Sequence, residues 1–156
     1  MTIRQMTESD AGAVCALIAR NLREVNAREY PAAFIEEAVQ TYNRDWLAAQ
    51  AREGRVVVAV CDGGMVHGCA ALRQPGAPEE TFTLHTVFVT PDMHRQGIGT
   101  RLVQALENDA LQMRAARVEV PSLLTAVEFF RKLGYAYLNG LKRLGKDGCI
   151  RLEKTL

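Results

Sequence analysis

The fold of this chain is decided by one stretch, Val87-Phe88-Val89-Thr90-Pro91-Asp92-Met93-His94-Arg95-Gln96-Gly97-Ile98-Gly99-Thr100-Arg101-Leu102. A β-branched apolar run breaks at Pro91 and a helical pattern begins after two glycines, which predicts a strand, a loop and a helix. The first N–H groups of a helix have no partner within it, and the helix dipole makes that end positive. Gly97 and Gly99 let a ligand approach the main chain, so the stretch favours a phosphate or pyrophosphate.

Length and composition predict one globular domain over residues 1–156. Hydrophobic residues make up 48% of the chain and charged residues 24%, which is typical of a protein that buries a sizeable core. The formal net charge is only +1, so we do not expect the broad basic face with which many proteins bind nucleic acid. A small-molecule partner is the better expectation.

Cysteine usage and hydropathy indicate a reducing, cytoplasmic location. The chain has neither a Cys-x-x-Cys pair nor a histidine at metal-ligand spacing from a cysteine, so no metal site is predicted and the cysteines are expected to be free thiols. These residues are Cys15, Cys61, Cys69 and Cys149. No apolar run approaches the ~20 residues that a bilayer span requires, so we expect no membrane association.

The first third of the chain predicts one strand and three helices. Residues 2–6 form a short mixed strand, and Thr7, followed by an acidic residue three positions later, is typical of a helix N-cap. Pro31 is expected to open a second helix. Asn43 is expected to cap a third helix, which ends near Gly54.

The middle of the chain predicts a hairpin and a long strand. Residues 55–61 are a Val-rich strand, a tight Asp-Gly-Gly turn follows, and residues 65–73 return beside it. The cluster Gln74-Pro75-Gly76-Ala77-Pro78 breaks the chain, and residues 80–90 then form the longest strand. That strand leads into the glycine loop.

The last third predicts three strands and a helix. We expect strands over residues 117–121, 135–139 and 149–155, and a helix over residues 122–133 with Ser122 as its cap. Helices thus interrupt both hairpin-linked strands and crossover strands. This order predicts an α/β (α+β three-layer) domain, with a mixed sheet of about seven strands and helices on both faces.

Two common phosphate-binding motifs do not fit the glycine loop. The chain lacks Gly-x-x-x-x-Gly-Lys-Ser/Thr, which excludes a nucleotide-hydrolysing phosphate loop. A dinucleotide fingerprint requires a third glycine where Leu102 stands, together with an acidic residue at the end of the next strand. Val118-Glu119-Val120 does not supply that residue convincingly.

The loop resembles the acyl-CoA-binding motif of the GNAT superfamily of N-acyltransferases, Arg/Gln-x-x-Gly-x-Gly/Ala after a long strand. Here the segment is His94-Arg95-Gln96-Gly97-Ile98-Gly99, with His94 where Arg or Gln is usual. A second segment, Phe129-Phe130-Arg131-Lys132-Leu133-Gly134-Tyr135, is similar to the family's Phe-Tyr-x-x-x-Gly-Phe helix that flanks the coenzyme. The resemblance implies a centrally splayed sheet and direct acetyl transfer from acetyl-CoA to an amine.

The resemblance also assigns the acetyl-CoA contacts. The backbone N–H groups of the loop would bind the pyrophosphate, the splayed strand would pair with the pantetheine arm, and the downstream helix would flank that arm. The residues are Arg95, Gln96, Gly97, Ile98, Gly99 and Thr100 in the loop, Val87, Phe88 and Val89 in the strand, and Phe130 in the helix. Arg95 or Arg101 would add positive charge, and the N–H of Val89 or Phe88 would stabilise the oxyanion.

The general base is expected to be His85. The resemblance places the catalytic glutamate of several relatives at Thr83, whose hydroxyl cannot usefully accept a proton near neutral pH. His85 lies two residues further along the same strand, and its ordinary pKa of ~6.5 suits proton transfer. A structural role for His85 is the alternative, and Glu79 and Glu80 are the remaining candidates for the base.

The proton donor to the departing CoA thiolate is less well specified. Many relatives use a tyrosine, and this chain has Phe130 at that position, which has no proton to donate. Water is one candidate, because an unperturbed thiol has a pKa of only ~8.5. Tyr135, Tyr137 and Tyr30 are the others.

The acceptor is expected to enter between the early helices and the late hairpin. Tyr30 is the predicted substrate contact, with Asn26, Glu29, Trp46 and residues 140–148 as further candidate walls. The predicted acceptor is a small-molecule primary amine. A protein N-terminus or lysine is one alternative, and a module that binds acyl-CoA without catalysis is another. The resemblance also allows a homodimer that pairs through a sheet edge.

Overall fold

Seven strands form one mixed sheet in the computed structural model, which describes residues 1–76 and 78–156. Their order across the sheet is β1-β2-β3-β4-β5-β7-β6. Among the described residues, only β4 and β5 are parallel neighbours, and every other pairing is antiparallel. The strands are β1 (Thr2–Gln5), β2 (Arg55–Val60), β3 (Val66–Arg73), β4 (Thr81–Val89), β5 (Arg117–Leu123), β6 (Ala136–Tyr137) and β7 (Cys149–Thr155).

Helices cover both faces of the sheet, which confirms the predicted three-layer architecture. One hydrophobic core lies between the sheet and the first three helices, and a second core lies between the sheet and the last two. Leu22 and Leu47 are buried in the first core, and Leu102 and Phe130 are buried in the second. The helices are α1 (Ala11–Glu24), α2 (Ala32–Thr41), α3 (Arg44–Glu53), α4 (Ile98–Gln112) and α5 (Val127–Lys132).

The sheet is splayed at its centre, between β4 and β5. The two strands pair only where Thr81–Thr83 lie beside Arg117–Glu119. Beyond that point β4 stays paired with β3, and β5 stays paired with β7 as far as Leu123. A gap therefore opens between the C-terminal halves of β4 and β5, as the family resemblance implied.

Two helix starts follow the local chemistry that the sequence indicates. The Thr7 N–H donates to the Asp10 carboxylate at 2.8 Å, which forms the predicted cap, although a single 3₁₀ turn precedes α1. Asn43 Oδ1 accepts a hydrogen bond from the Trp46 N–H at 2.9 Å and so caps α3 as predicted. Both caps provide acceptors for N–H groups that the helix itself leaves without a partner.

The prediction that Ser122 caps a helix was wrong. Ser122 lies inside β5 opposite Ile150 of β7, and its hydroxyl donates to the Leu123 carbonyl. Pairing with β7 extends β5 by two residues, so α5 begins only at Val127, after a 3₁₀ turn. Local sequence could not show this, because the extension depends on a strand far along the chain.

The strand β6 and the break before β4 can also be compared with the sequence predictions. The predicted strand over 135–139 is reduced to the two residues of β6, followed by a 3₁₀ turn at Leu138–Gly140. The predicted break at 74–78 falls between β3 and β4, and Ala77 lies outside the described residues. Across residues 1–76 and 78–156, no helix combines the length and the apolar composition needed to span a membrane.

Candidate active site

The glycine loop presents the start of α4 to the open side of the sheet. Arg95 and Gly97 both adopt left-handed backbone conformations, with φ of 63° and 80°, and Gly97 is the residue immediately before the helix. A non-glycine residue rarely adopts this conformation, so Arg95 carries local backbone strain. The turn exposes the first N–H groups of a 15-residue helix. This is a suitable site for an anion.

A cavity of about 500 Å³ lies beside this turn, in the gap between β4 and β5, and we name it the loop cavity. It brings together all but one of the residues predicted to contact acetyl-CoA. Those that line it are Val87, Phe88, Val89, Arg95, Gly97, Ile98, Gly99, Thr100 and Phe130. Gln96 is the exception, since it does not line the cavity.

A second cavity, of about 690 Å³, lies on the α2 and α3 face of the sheet, and we name it the sheet-face cavity. Both Thr83 and His85 line it, so the structure brings together the two β4 side chains singled out in the sequence. Glu79 and Glu80 line neither cavity. The two cavities share five lining residues, namely Val87, Phe88, Leu123, Ala126 and Phe130. They therefore meet at the gap in the sheet.

His94 anchors the glycine loop to the body of the protein. Its Nε2 atom lies 2.8 Å from the carbonyl oxygen of Val89 and 3.3 Å from Oδ1 of Asn21. Both partners are acceptors here, because the Asn21 amide nitrogen donates to the Leu17 carbonyl. His94 thus connects the loop to the end of β4 and to α1.

His85 has one satisfied and one unsatisfied ring nitrogen. Nδ1 lies 2.8 Å from the Thr86 hydroxyl, whereas Nε2 is buried and has no hydrogen-bond partner among the described residues. The ring stands edge-on to Trp46, with 6.2 Å between the ring centroids. Burial, and then the positive charge of Arg73, lower the pKa of His85 to about 4. The imidazole is therefore neutral at neutral pH.

Thr86 holds an unusual backbone conformation next to this histidine. Its φ is 55°, which is disfavoured for a β-branched residue, and the register between β3 and β4 shifts at this point. The Thr86 carbonyl accepts a hydrogen bond from the Cys69 thiol at 3.5 Å. The bulge changes the alternation of side chains along β4 just before Val87 and Phe88, which line both cavities.

A family comparison identifies this arrangement. A sequence model of the acetyltransferase (GNAT) family matches residues 19–135, which is more than half of the chain and includes the glycine loop and α5. The chain belongs to the GNAT family of acetyltransferases. A search of curated protein sequences finds no significant match.

Solved structures share this GNAT fold across nearly the whole chain. A GCN5-related N-acetyltransferase from Rhodopseudomonas palustris is 23% identical, with a TM-score of 0.85 over 99% of this chain and 95% of its own. The PaiA N-acetyltransferase of Thermoplasma acidophilum, solved with coenzyme A, is 15% identical with a TM-score of 0.85, over 99% and 98%. A ribosomal-protein-alanine N-acetyltransferase from Brucella melitensis is 22% identical with a TM-score of 0.72, over 100% of both chains. At these identities the likeness shows the fold.

The family resemblance places Phe130 at the position at which many relatives carry a tyrosine. Its ring is buried, contacts the rings of Phe129 and Tyr135 edge-on, and forms part of the wall common to both cavities. Tyr135 cannot replace it, because the Tyr135 hydroxyl donates to Glu107 inside the core. Tyr137 lies under the Arg131 guanidinium and lines neither cavity.

Tyr30 supports the wall of the GNAT site without lining either cavity. Its hydroxyl donates to the Gly148 carbonyl and accepts from the Leu124 N–H at 2.8 Å. Its ring stacks on Phe34, with 4.3 Å between centroids. Tyr30 therefore ties the connector between α1 and α2 to Leu124, which follows β5, and to Gly148, which precedes β7. Its predicted contact with the substrate stays a prediction.

Tyr42 lines the sheet-face cavity and was missed in the sequence, where it looked like part of a break between helices. Its ring stands edge-on to Trp46 and to Phe88, at centroid distances of 4.7 and 5.8 Å. Burial raises the pKa of Tyr42 to about 12, so its hydroxyl stays protonated. The sequence signal that could have identified Tyr42 was an aromatic residue immediately before Asn43, the cap of α3.

The basic side chains near the loop separate into two groups. Arg95 and Lys132 line the loop cavity, where a phosphate would be attracted to them. Arg101 does not line it, and its guanidinium donates to the Met1 carbonyl at 3.3 Å. Of the two arginines considered from the sequence, Arg95 is thus the one that lines the loop cavity.

Proposed function

We propose that this GNAT protein transfers the acetyl group of acetyl-CoA to the primary amine of a small molecule. One observation carries the proposal: the loop cavity and the sheet-face cavity meet at Val87, Phe88 and Phe130, in the gap between β4 and β5. A donor held at the glycine loop and an acceptor held on the opposite side would meet at this point. Such positioning is a large part of catalysis in a two-substrate reaction.

The glycine loop suits acetyl-CoA as the donor. The left-handed Gly97 turns N–H groups at the start of α4 towards the loop cavity, and Arg95 and Lys132 add positive charge. These groups suit the pyrophosphate of the coenzyme. The thioester supplies the acetyl group and a thiolate leaving group. The N–H of Val89 or Phe88, at the end of the splayed strand, would stabilise the oxyanion.

A small acceptor is favoured over a protein by the way in which the sheet-face cavity is walled. Tyr30 ties the α1–α2 connector to Gly148 and Leu124, and its partner Phe34 is a wall of the cavity itself. We infer that this bridge limits the space for an extended polypeptide on the side of the cavity where Phe34 lies. A protein N-terminus or lysine would require a groove that continues past the bridge. We therefore propose a small amine.

His85 is the proposed general base. In the tautomer that carries its proton on Nδ1, the ring donates to the Thr86 hydroxyl and leaves the Nε2 lone pair buried, beside the cavity that His85 lines. With its pKa lowered to about 4, the imidazole is unprotonated at neutral pH and is a weaker base than an ordinary histidine. Thr86 is the proposed positioning residue, because its hydroxyl contacts the ring at Nδ1. A water molecule is the proposed proton source for the thiolate, since Phe130 has none.

Two measurements test the proposal. Acetyl-CoA and free CoA at about 1 mM should each raise the melting temperature saturably, because both would bind only the folded state. Release of the CoA thiol from acetyl-CoA in the presence of a panel of small amines should then exceed the amine-free rate. Stabilisation without amine-dependent thiol release would contradict the transfer reaction, and release only with peptides would favour a protein acceptor.

We also propose a cytoplasmic location, on chemical grounds. All four cysteines are free thiols. Cytosolic conditions keep thiols reduced, so this chemistry suits that compartment.

A further inference from the structure

Arg73 stands at the outer end of the sheet-face cavity, on the same strand pair as His85. It is the last residue of β3 and lies opposite Thr83 of β4, two residues from His85. Both Arg73 and His85 line the cavity. A Cβ built on Gly54 would lie 3.2 Å from Cα and from Cβ of Arg73, so the end of α3 packs closely against the base of this side chain.

The sheet-face cavity contains charges of both signs that the protein leaves without ion-pair partners. Asp147 is neutralised by Arg151, at 2.7 Å. Within residues 1–76 and 78–156, the other charged side chains of the cavity wall have no opposite charge within 4.0 Å. They are Arg73 and Lys146, and Glu37 and Glu53. A ligand that carries one positive and one negative charge would form ion pairs with these side chains.

The positive charge of Arg73 weakens His85 as the proposed base. After burial, the positive charge of Arg73 is the second cause of the lowered pKa of His85, so the guanidinium opposes protonation of the imidazole. A bound anion would neutralise Arg73 and thereby make His85 a stronger base. The acceptor is the component of the reaction that would bring this anion into the sheet-face cavity.

We propose that the acceptor is an amine that also carries a carboxylate, and that Arg73 binds this carboxylate while the amine faces His85. The class is that of amino acids and related short amino acid derivatives. The planar guanidinium matches a carboxylate in two parallel hydrogen bonds. Arg73 lies opposite Thr83, and Thr83 is two residues, or about 7 Å, along β4 from His85. The long arginine side chain can bring its guanidinium closer to His85 than this backbone distance. This inference rests on the proposed function.

The test compares matched acceptors and matched variants of the full chain. Each amino acid of a panel is paired with the amine that remains after removal of its carboxylate, and thiol release from acetyl-CoA is measured for both. The wild type should prefer the carboxylate-bearing member. In Arg73→Met, kcat/KM for that member should fall by about tenfold or more, whereas kcat/KM for the decarboxylated amine should not fall, because loss of the guanidinium also removes its opposition to protonation of His85.

Three controls separate this inference from the proposed function. Arg114→Met removes another exposed arginine that lines neither cavity, and it should leave both rates unchanged. Acetyl-CoA should stabilise Arg73→Met as it does the wild type. Equal rates for paired amines, or a selective loss in Lys146→Met instead of Arg73→Met, would overturn the role of Arg73 and leave acetyl transfer intact. Absence of thiol release with every amine would overturn both.

Discussion

Phe129 occupies the space that a side chain at Gly99 would need. A Cβ on Gly99 would lie 3.0 Å from Cζ and 3.1 Å from Cε1 of the Phe129 ring. The second glycine of the loop is thus matched to an aromatic residue of α5, so the two sequence motifs contact each other directly. Both residues line the loop cavity.

Gly99→Ala is expected to weaken acetyl-CoA binding several-fold and to lower stability. The added methyl would push the Phe129 ring aside, and overpacking of this kind costs about 1–3 kcal/mol. Isothermal titration with CoA and denaturant unfolding measure the two effects. Gly99→Ala combined with Phe129→Leu should recover part of both losses, because the smaller side chain makes room. Additive losses in the double variant would show that the contact is not the cause.

His94→Ala is expected to reduce CoA affinity more than it reduces stability. The imidazole is the link between the loop, the Val89 carbonyl and Asn21, and its removal leaves a buried amide oxygen without a donor. A lost hydrogen bond of this kind costs about 1 kcal/mol. His94→Gln supplies an N–H donor at similar reach and should bind CoA nearly as well as the wild type. Equal defects in the two variants would rule out this anchoring role.

Tyr30→Phe is expected to lower the free energy of unfolding by about 1–3 kcal/mol. It keeps the stacking on Phe34 and removes the hydroxyl that links Gly148 to Leu124. Urea unfolding measures the change. Tyr137→Phe is the matched control, since the Tyr137 hydroxyl makes no hydrogen bond within the described residues and its loss should be almost neutral. A similar loss in both variants would refute the bridge.

Thr86→Val is expected to reduce kcat with little change in the KM for acetyl-CoA. Valine keeps the β-branched shape and the strained backbone, and it removes the hydroxyl that lies 2.8 Å from His85 Nδ1. Thr86→Ser keeps that hydroxyl and should retain most of the activity. The discriminating readout is the dependence of kcat on pH, which should change in Thr86→Val alone. An unchanged profile would remove Thr86 from the positioning of His85.

His85 should also make stability depend on pH. Its pKa is about 4 in the folded state, against an ordinary value of ~6.5, so the unfolded chain binds a proton that the folded one does not. The contribution is complete above about pH 6.5 and declines as the pH falls towards 4, by a total on the order of 3 kcal/mol. Unfolding free energies of the wild type should show this slope, and His85→Gln should lack it. A parallel slope in both would contradict the shift.

Asp10 does not affect that measurement, because its protonation changes at lower pH than that of His85. The hydrogen bond from Arg4 is the main cause that lowers the pKa of Asp10 to about 2, against an ordinary value of 3.8. Its contribution is therefore present above about pH 4 and is lost as the pH falls from there to about 2. Asp10 and His85 therefore change the free energy of unfolding in adjacent pH ranges.

Most of the fold could be predicted because its signals are local. The caps at Thr7 and Asn43, the turn between β2 and β3 and the glycine loop each depend on the chemistry of a few neighbouring residues. The helix predicted to start at Ser122 was wrong because β7, some thirty residues away in sequence, pairs with that segment. Periodicity and capping rules use only neighbouring residues, so they cannot predict pairing between strands that are far apart in the sequence.

The sequence by itself determined the family of this protein and the position of the glycine turn before α4, the proposed anion site, because a helix start after a glycine loop is set by neighbouring residues. Tertiary structure alone decided the rest of the site. It showed that Arg95 and not Arg101 faces the loop cavity, that Tyr30 is a bridge and that Tyr42 is a wall. It also placed Arg73 opposite Thr83, because strand register brings together residues that are distant along the chain.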